Sequence, residues 1–282
     1  MKIGAIDNGY WSTKILLDGK LGNIRSKYTE DPDGEFEYNS KKYVVGHGSE
    51  NIDHNKTVNE LHRIITYYAL GMGVNFAEEF KLVLSLPLLH YRALRDDFKA
   101  YIMGEDAIKV KIKGKEKRIF IKDVNVFLQG VATVYVNNPN QYRKGLLAIL
   151  DIGGLTAQGA ILENLKPIPE SIFTIDAGVI ILNNKIKTRL NEKYCLNIQD
   201  YEVPYLIDFH EDIQKVRDEH FEQIALEMQK KNWSLSTLPI LATGGGSLQF
   251  EVTRYLPKSR LSNDPIFDNV KGLGVVGEMI YR

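Results

Sequence analysis

Two short segments of the chain place an aspartate, a glycine and a hydroxyl residue after an apolar stretch. Laid over each other without a gap, residues 3–17 and 147–161 share one order: apolar strand, aspartate, one residue, glycine, short turn, hydroxyl residue, second apolar strand. The matched residues are Asp7 with Asp151, Gly9 with Gly153, and Ser12 with Thr156. Because one copy opens each half of the chain, the repeat predicts a duplicated domain whose halves present matching loops across a cleft.

The residue types in these loops suit a phosphate chain bound together with magnesium. A tight glycine turn exposes backbone N–H groups that can cradle phosphate oxygens, and glycine permits the close approach. Asp7 and Asp151 would repel a bare nucleotide, but they can hold the water shell of a magnesium ion. Ser12 and Thr156 offer hydroxyl donors, and Lys14 offers a point charge for the β- and γ-phosphates.

Each loop also has a simpler interpretation. Asp7-Asn8-Gly9 is typical of an ordinary hairpin, because Asn-Gly fits a type I′ turn. Lys14 taken alone is equally typical of a solvated strand lysine. Asp151 is more telling, because an aspartate that ends a buried strand seldom lacks a partner or an ion. The paired occurrence favours phosphate binding.

A third glycine segment, Thr243-Gly244-Gly245-Gly246, follows the apolar residues 238–242 and precedes a predicted helix over 246–256. A strand, a glycine turn and a helix N-terminus in this order let backbone approach an anionic or flat ligand. The segment is not a dinucleotide fingerprint, because the position of the last glycine is occupied by Gln249, and the chain has no Walker A lysine. A tight strand-to-helix turn is the alternative.

The elements around these loops alternate between strand and helix. Residues 146–150 form a continuous apolar run of the kind that suits a strand buried on both faces. Strands and helices alternate in two successive blocks, which indicates an α/β architecture. Further predicted elements are a helix over 57–70 with Val58 on its apolar face, a strand over 81–88, a helix from about residue 128 to before Pro139, and a strand over 168–174.

Composition narrows the class of protein. The chain has 282 residues with 36 basic and 36 acidic side chains, so a strongly basic nucleic-acid surface over the whole chain is not expected. Its single cysteine, Cys195, excludes an intramolecular disulfide and a cysteine-rich metal site. No signal-peptide pattern and no apolar run of membrane-spanning length are present. We therefore expect a cytoplasmic protein without membrane contact.

Taken in order, five segments resemble the motifs of the actin, sugar-kinase and heat-shock-chaperone ATPase superfamily. Asp7 to Lys14 resembles the first phosphate loop, Asp151 to Thr156 the second, and Thr243 to Gly246 the adenosine motif. The first connecting motif is matched by Gln129-Gly130-Val131-Ala132, and the second by Val270-Lys271-Gly272-Leu273-Gly274. The resemblance implies an actin-like, ribonuclease H-like duplicated α/β fold with two domains flanking a nucleotide cleft.

The resemblance also implies where the domains lie. Domain I would comprise residues 1–140 with 265–282, including a small hairpin subdomain over about 30–57. Domain II would comprise residues 141–264, including a small helical subdomain over about 191–237.

Residue roles carried over from the superfamily are as follows. Asp7 and Asp151 would hold the hydrated magnesium and take part in catalysis, and Gln129 would orient the attacking water, since glutamine is a poor proton acceptor. A plain polar residue at a helix start is the alternative for Gln129. The residues implied in nucleotide binding are Asn8, Gly9, Tyr10, Trp11, Ser12, Lys14, Gly153, Gly154, Leu155, Thr156, Gly178, Thr243, Gly244, Gly245 and Gly246.

Within the superfamily, the short chain resembles the ParM-type proteins that segregate bacterial plasmids. Three further segments support this resemblance: Lys42-Tyr43-Val44-Val45-Gly46, Leu84-Ser85-Leu86-Pro87-Leu88 and Asp268-Asn269-Val270-Lys271-Gly272. ParM-like proteins often carry glutamate where this chain has Gln129, so that position is closer to actin. The resemblance implies an ATPase that forms filaments with ATP and Mg²⁺ and disassembles after hydrolysis.

The implied partners are further copies of the chain and a separate DNA-binding adaptor protein, without direct contact to nucleic acid. GTP is left open beside ATP, because no base-reading side chain can be named. Two other functions remain open: a monomeric phosphotransferase or phosphatase of the same superfamily, and a nucleotide-gated scaffold with slow or no turnover.

Overall fold

A computed structural model describes residues 1–48, 56–57 and 60–282. Val58, predicted on the first helix, and residues 49–55 of the predicted hairpin subdomain lie outside the described residues. The chain divides into two compact units, which are described separately. Unit 1 comprises Met1–Pro139 and Phe267–Arg282, and unit 2 comprises Asn140–Ile266.

The strands of the described residues are numbered in chain order. They are β1 Lys2–Asn8, β2 Ser12–Leu17, β3 Lys20–Arg25, β4 Tyr28–Glu30, β5 Phe36–Tyr38, β6 Lys41–Val45, β7 Ala77–Leu86, β8 Ile108–Ile112, β9 Lys115–Leu128, β10 Leu146–Ile152, β11 Ala157–Glu163, β12 Lys166–Pro167, β13 Phe173–Ile175, β14 Ile240–Thr243 and β15 Ser259–Leu261.

The α-helices of the described residues are numbered in the same way. They are α1 Glu60–Met72, α2 Tyr91–Met103, α3 Val179–Tyr194, α4 His210–Lys230, α5 Val252–Tyr255 and α6 Asp268–Tyr281. Short 3₁₀ helices span Val131–Val136, Pro139–Tyr142, Pro169–Ser171, Val203–Tyr205 and Gly245–Gln249. Within these described elements, no helix is both long and apolar enough to cross a membrane.

The sheet of unit 1 runs, among the described strands, in the order β3-β2-β1-β7-β9-β8-β5-β6-β4. β1 and β2 form an antiparallel hairpin, whereas β7 is parallel to both β1 and β9. Central parallel strands are covered on both faces, which explains why Ala5 and Ile6 of β1 and residues 82–84 of β7 are apolar and buried. The carboxyl ends of β1, β7 and β9 therefore lie along one edge, where the Gln129 N–H donates to the carbonyl of Leu86 at 2.8 Å.

Helix α6 belongs to unit 1 although it closes the chain. Its Val270, Leu273 and Val276 pack with Ala5 of β1 and Ala132 of the 3₁₀ helix after β9. Two hydrogen bonds also join α6 to the segment that follows β9. The Gly130 N–H donates to Asn269 Oδ1 at 3.0 Å, and Asn137 Nδ2 donates to Asp268 Oδ2 at 2.9 Å. The two predicted connecting segments thus touch each other inside unit 1.

The sheet of unit 2 runs β12-β11-β10-β14-β15, with β13 also paired to β11. β10 and β11 form the second antiparallel hairpin, and β14 is parallel to β10. Helices α3 and α4 cover the sheet through a core that includes Leu182, Ile186 and Phe221. Trp233 closes this core, and its Nε1 donates to the carbonyl of Ser171 at 2.9 Å.

Several predicted elements differ from the structure. The helix predicted from about residue 128 is the 3₁₀ helix Val131–Val136, and the strand predicted over 168–174 is a 3₁₀ helix followed by β13. The helix predicted over 246–256 is divided into Gly245–Gln249 and α5. The division falls at Phe250, whose backbone is extended because its ring is buried against Phe221, at a centroid distance of 5.3 Å.

Candidate functional site

The two hairpins have the same register. Asp7 pairs with Lys14 across the first hairpin, and Asp151 pairs with Gln158 across the second. When residues 3–17 are overlaid on residues 147–161 without a gap, the first of these pairs falls on the second. We call residues 9–11, between β1 and β2, loop 1, and residues 153–156, between β10 and β11, loop 2. In each hairpin an aspartate is the penultimate residue of the first strand.

Asp7 lies almost buried at the carboxyl edge of the unit 1 sheet. Its side chain is 5% exposed, and Ser85 Oγ of β7 donates to its Oδ1 at 2.6 Å. A carboxylate is costly to bury unless hydrogen bonds or a cation compensate for the lost water. The position therefore suits a carboxylate that serves an ion.

Loop 1 is held by side chains. Ser26 Oγ donates to the carbonyl of Gly9 at 2.5 Å, and Asn8 Nδ2 donates to Thr66 Oγ1 at 3.3 Å. The Lys14 ammonium donates to the carbonyl of Ser12 at 3.2 Å. A type I′ turn needs positive φ at two successive residues, and neither Asn8 nor Gly9 has one. The ordinary Asn-Gly hairpin turn is therefore not what closes this hairpin. The connection between β1 and β2 is longer than a two-residue turn and includes Tyr10 and Trp11.

Lys56, which belongs to none of the predicted motifs, also lies at loop 1. The side chain of Lys56 is fully buried, and its Nζ donates to the carbonyl of Asn8 at 2.5 Å and to Gln129 Oε1 at 3.5 Å. His62 lies nearby, with its ring centroid 6.3 Å from that of Tyr10. Burial, and then the Lys56 charge, lower the pKa of His62 well below its usual value, so His62 stays neutral beside the ammonium.

Loop 2 surrounds a similarly placed aspartate. Asp151 is 6% exposed, and Gln158 Nε2 donates to its Oδ2 at 3.1 Å. The Gly153 N–H donates to the carbonyl of Thr156 at 2.8 Å, which closes the loop. Leu155 is buried within the same loop.

The first residues of α3 hold loop 2 through backbone atoms. The N–H groups of Gly178, Val179 and Ile180 donate to the carbonyls of Leu155, Gly153 and Gly154, at 2.8, 3.1 and 2.8 Å. A Cβ on Gly178 would lie 2.4 Å from the carbonyl oxygen of Gly154, so only glycine permits this approach. The positive end of the α3 dipole therefore lies directly at loop 2, where it favours an anion.

The third glycine segment meets Asp151 from the neighbouring strand. Thr243 ends β14 directly beside Asp151 in the parallel register. Gly244 has a φ of +82°, and a Cβ there would lie 2.3 Å from Asp151 Oδ1. Ser247 Oγ donates to the carbonyl of Gly244 at 2.7 Å, and the 3₁₀ helix that begins at Gly245 includes Gly246.

Each unit thus brings its own predicted residues together. Unit 1 gathers Asp7, loop 1 and Gln129 at the carboxyl edge of β1, β7 and β9. Unit 2 gathers Asp151, loop 2, Gly178 and residues 243–246 at the carboxyl ends of β10 and β14. That the two sets bind one nucleotide, and that Gly178 takes part in the binding, remain predictions.

The side chains near the two loops can be compared with the ligands that magnesium requires. Across residues 1–48, 56–57 and 60–282, no group of three or more His, Cys, Asp or Glu side chains is arranged to enclose a metal ion. Magnesium in nucleotide sites is usually held through one or two carboxylates, waters and the phosphates, rather than by an all-protein cage. Asp7 and Asp151, each nearly buried and each accepting a side-chain hydrogen bond, are carboxylates of the kind that this chemistry uses.

Comparison with known proteins shows which family and which solved structures the chain is similar to. Residues 5–131 match the family model "Actin like proteins N terminal domain". A search of curated protein sequences gave no match.

Similar solved structures cover nearly the whole chain. An archaeal actin homolog, Ta0583 in complex with ADP, has a TM-score of 0.84 at 15% identity, covering 99% of this chain and 100% of that one. A 15-stranded ParM filament from Clostridium botulinum has a TM-score of 0.78 at 19% identity, covering 99% of both chains. Apo pSK41 ParM has a TM-score of 0.78 at 16% identity, covering 99% and 97%. The predicted actin-like α/β fold is confirmed, and residues 5–131 are similar to the N-terminal domain of actin-like proteins.

Proposed function

We propose that this chain is an ATP-dependent, filament-forming protein that segregates DNA, most simply a plasmid. The observation that carries the proposal is the packing around Asp151. A carboxylate, a closed glycine loop, a helix N-terminus and a positive-φ glycine occupy one sheet edge with no room for an added Cβ at Gly178 or Gly244. Such a site favours a phosphate chain with a divalent cation over a bare anion.

The residues then take the following roles. Backbone of loops 1 and 2 binds the phosphates, with Lys14 and the α3 N-terminus adding positive charge. Asp7 and Asp151 hold a hydrated Mg²⁺, which neutralises phosphate charge when bound. Gln129 orients the water that attacks the γ-phosphorus; it does not act as a base, because an amide is a poor proton acceptor. The Thr243–Gly246 segment lies along the nucleoside.

Assembly follows from nucleotide state. With the triphosphate bound, one surface of a subunit contacts a different surface of the next, and such a heterologous contact propagates into a filament. Hydrolysis removes the γ-phosphate contacts and weakens the polymer. The similar ParM structure is itself a filament. Since the chain has formal charge zero, a separate adaptor protein would bind the DNA.

The test is light scattering and electron microscopy of the purified chain with Mg²⁺ and ATP, GTP, ADP or no nucleotide. We expect filaments with ATP, and a rate of phosphate release per subunit that rises cooperatively with protein concentration. The Asp151→Asn variant should lose both, whereas Asp106→Asn, at an exposed acid outside the site, should keep both.

Three results would reject the proposal. Flat scattering at high protein concentration across varied salt would argue against polymerisation. Phosphate release that is independent of protein concentration and is stimulated by a small phosphoryl acceptor would instead favour the monomeric phosphotransferase. Filaments that form with ATP but release no phosphate would identify a nucleotide-gated scaffold.

A further inference from the structure

Lys56 connects two parts of unit 1 that are distant in sequence. Its Nζ donates to the carbonyl of Asn8, the last residue of β1, and to Oε1 of Gln129, the first residue after β9. The same ammonium lies 5.4 Å from the ring centroid of Tyr10 in loop 1. A single buried cation therefore contacts the backbone at loop 1, an aromatic side chain of loop 1 and the side chain of Gln129.

The sheet order shows why a long side chain is needed. β7 lies between β1 and β9, and adjacent strands are about 4.8 Å apart, so the ends of β1 and β9 are separated by about 10 Å. The Lys56 ammonium and the Gln129 side chain cover this gap together: the ammonium lies 2.5 Å from the carbonyl of Asn8, and Gln129 Oε1 meets it at 3.5 Å from the side of β9. A compact charge on a flexible four-carbon stem is suited to such a bridge.

The chemistry of lysine determines how Gln129 is oriented. An ammonium can only donate hydrogen bonds, so the Gln129 atom that it contacts is the carbonyl Oε1 and not the amide nitrogen. An amide that is free to rotate could present either end to a ligand. Contact with Lys56 selects one of the two orientations.

We infer that Lys56 is a positioning residue that acts through Gln129, holding its amide in the orientation that directs the attacking water. This inference rests on the proposed ATPase function. The competing explanation is purely structural: Lys56 stabilises loop 1 through Asn8 and has no specific effect on Gln129. The two explanations predict different couplings between Lys56 and Gln129.

A double-mutant cycle on the ATPase separates them. Lys56→Met keeps a long apolar stem and removes the charge, and we expect kcat to fall about 10-fold with KM changed less than about 2-fold, because a catalytic group is misaligned without loss of binding. In a Gln129→Ala background, Lys56→Met should lower kcat less than about 2-fold further, because residues that act as a unit are not additive. Multiplying losses would overturn the inference.

Lys14→Met is the matched comparison. Lys14 is also a lysine at loop 1 whose ammonium donates to a backbone carbonyl, that of Ser12. Its loss should raise KM for ATP, and its effect should multiply with that of Gln129→Ala. Equal behaviour of the two lysine variants would contradict a specific role for Lys56.

A spectroscopic readout does not depend on hydrolysis. In nucleotide-free protein with nitrogen-15-labelled glutamine, the side-chain amide resonances of Gln129 are those lost in Gln129→Ala. They should shift in Lys56→Met and stay in place in Lys14→Met; resonances that do not move in Lys56→Met would overturn the inference. If Lys56→Met does not fold, Lys56→Arg, which moves the donors but keeps the charge, is expected to give the same shift. A wild-type chain without ATPase activity would reject the proposed function, while the resonances would still decide whether Lys56 holds Gln129.

Discussion

Loop 1 and loop 2 close hairpins of identical register, yet different kinds of contact hold them in shape. Loop 1 is tied mainly by side chains: Ser26 Oγ donates to the carbonyl of Gly9, and Lys56 Nζ donates to that of Asn8, beside one backbone bond from the Ser26 N–H to the carbonyl of Trp11 at 3.1 Å. Loop 2 is tied by backbone N–H groups at the start of α3 and is bordered by Gly244. A duplicated unit has therefore kept its strand pairing while its two loops acquired different supports.

The difference predicts how each loop responds to mutation. A loop enclosed by backbone has no side chain to remove, and only added atoms disturb it. A loop tied by side chains loses one hydrogen bond at a time when those side chains are truncated. Loop 2 should thus fail sharply when Gly178 or Gly244 is enlarged. Gly9 in loop 1 is similarly confined, because a Cβ there would lie 2.6 Å from the carbonyl oxygen of Ser12, but truncation of the side chains that tie loop 1 should weaken it in smaller steps.

The largest effect is expected for Gly244→Ala. The new methyl would lie 2.3 Å from Asp151 Oδ1, and the residue would have to keep a φ of +82°. Overpacking costs about 1–3 kcal/mol, and an alanine held at φ +82° and ψ 146°, a region essentially confined to glycine, costs about 1–3 kcal/mol, so we expect a loss of about 4 kcal/mol in unfolding free energy, measured with urea. Calorimetry should show no nucleotide binding.

Gly114→Ala is the control for backbone conformation. Gly114 has a φ of +74°, and an added Cβ would find no atom within 4 Å. Its loss should be about 1 kcal/mol, the conformational cost alone. Equal losses in the two variants would show that the space beside Asp151 is not limiting.

A smaller loss is expected for Gly178→Ala. Its backbone is in an ordinary extended region, so only the contact of 2.4 Å with the carbonyl of Gly154 matters. We expect a loss of about 3 kcal/mol, at the upper end for overpacking, as the start of α3 moves away from loop 2. For unfolding free energy the control is Gly245→Ala, where an added Cβ would meet Ile266 at an ordinary 3.8 Å. A Gly178→Ala chain as stable as this control would contradict the backbone support of loop 2.

The loop 1 counterpart is Ser26→Ala. The hydroxyl is buried, donates to the carbonyl of Gly9 at 2.5 Å and lies 3.1 Å from Thr13 Oγ1. Leaving a buried carbonyl without its donor costs about 1–3 kcal/mol, so we expect a loss of about 2 kcal/mol with nucleotide binding weakened and not abolished. Ser236→Ala, at an exposed serine, should change the unfolding free energy by less than about 0.5 kcal/mol. Loss of all binding in Ser26→Ala would show that loop 1 is as intolerant as loop 2.

Sequence reasoning predicted what depends on local order. The gap-free repeat predicts two matching hairpins with an aspartate near the end of the first strand of each, because a hairpin depends on residues that are close in sequence. Lys56 gave no such signal: it lies 48 residues from Asn8 and 73 from Gln129, and nothing local marks a lysine that becomes buried by long-range packing. The break at Phe250 was missed for a similar reason, because the partner ring of Phe221 is on α4.

The smallest predicted effect is on the pH dependence of the unfolding free energy, to which two buried histidines contribute, one in each unit. Burial lowers the pKa of both His62 and His220. Below the unfolded value of about 6.5, the unfolded chain binds protons that the folded chain does not, so stability falls as pH decreases, by up to about 1.4 kcal/mol per pH unit for each histidine.

The two histidines differ in their hydrogen bonds. Neither ring nitrogen of His62 has a hydrogen-bond partner among the described residues, whereas the ring nitrogens of His220 lie 3.0 Å from the carbonyl oxygen of Ala177 and 3.2 Å from Lys185 Nζ. At pH 8, His62→Leu should therefore cost less unfolding free energy than His220→Leu, and both should flatten the urea-midpoint profile between pH 5 and 7. A His62→Leu chain with the wild-type slope over that range would mean that His62 is protonated in the folded state, in conflict with its burial beside Lys56.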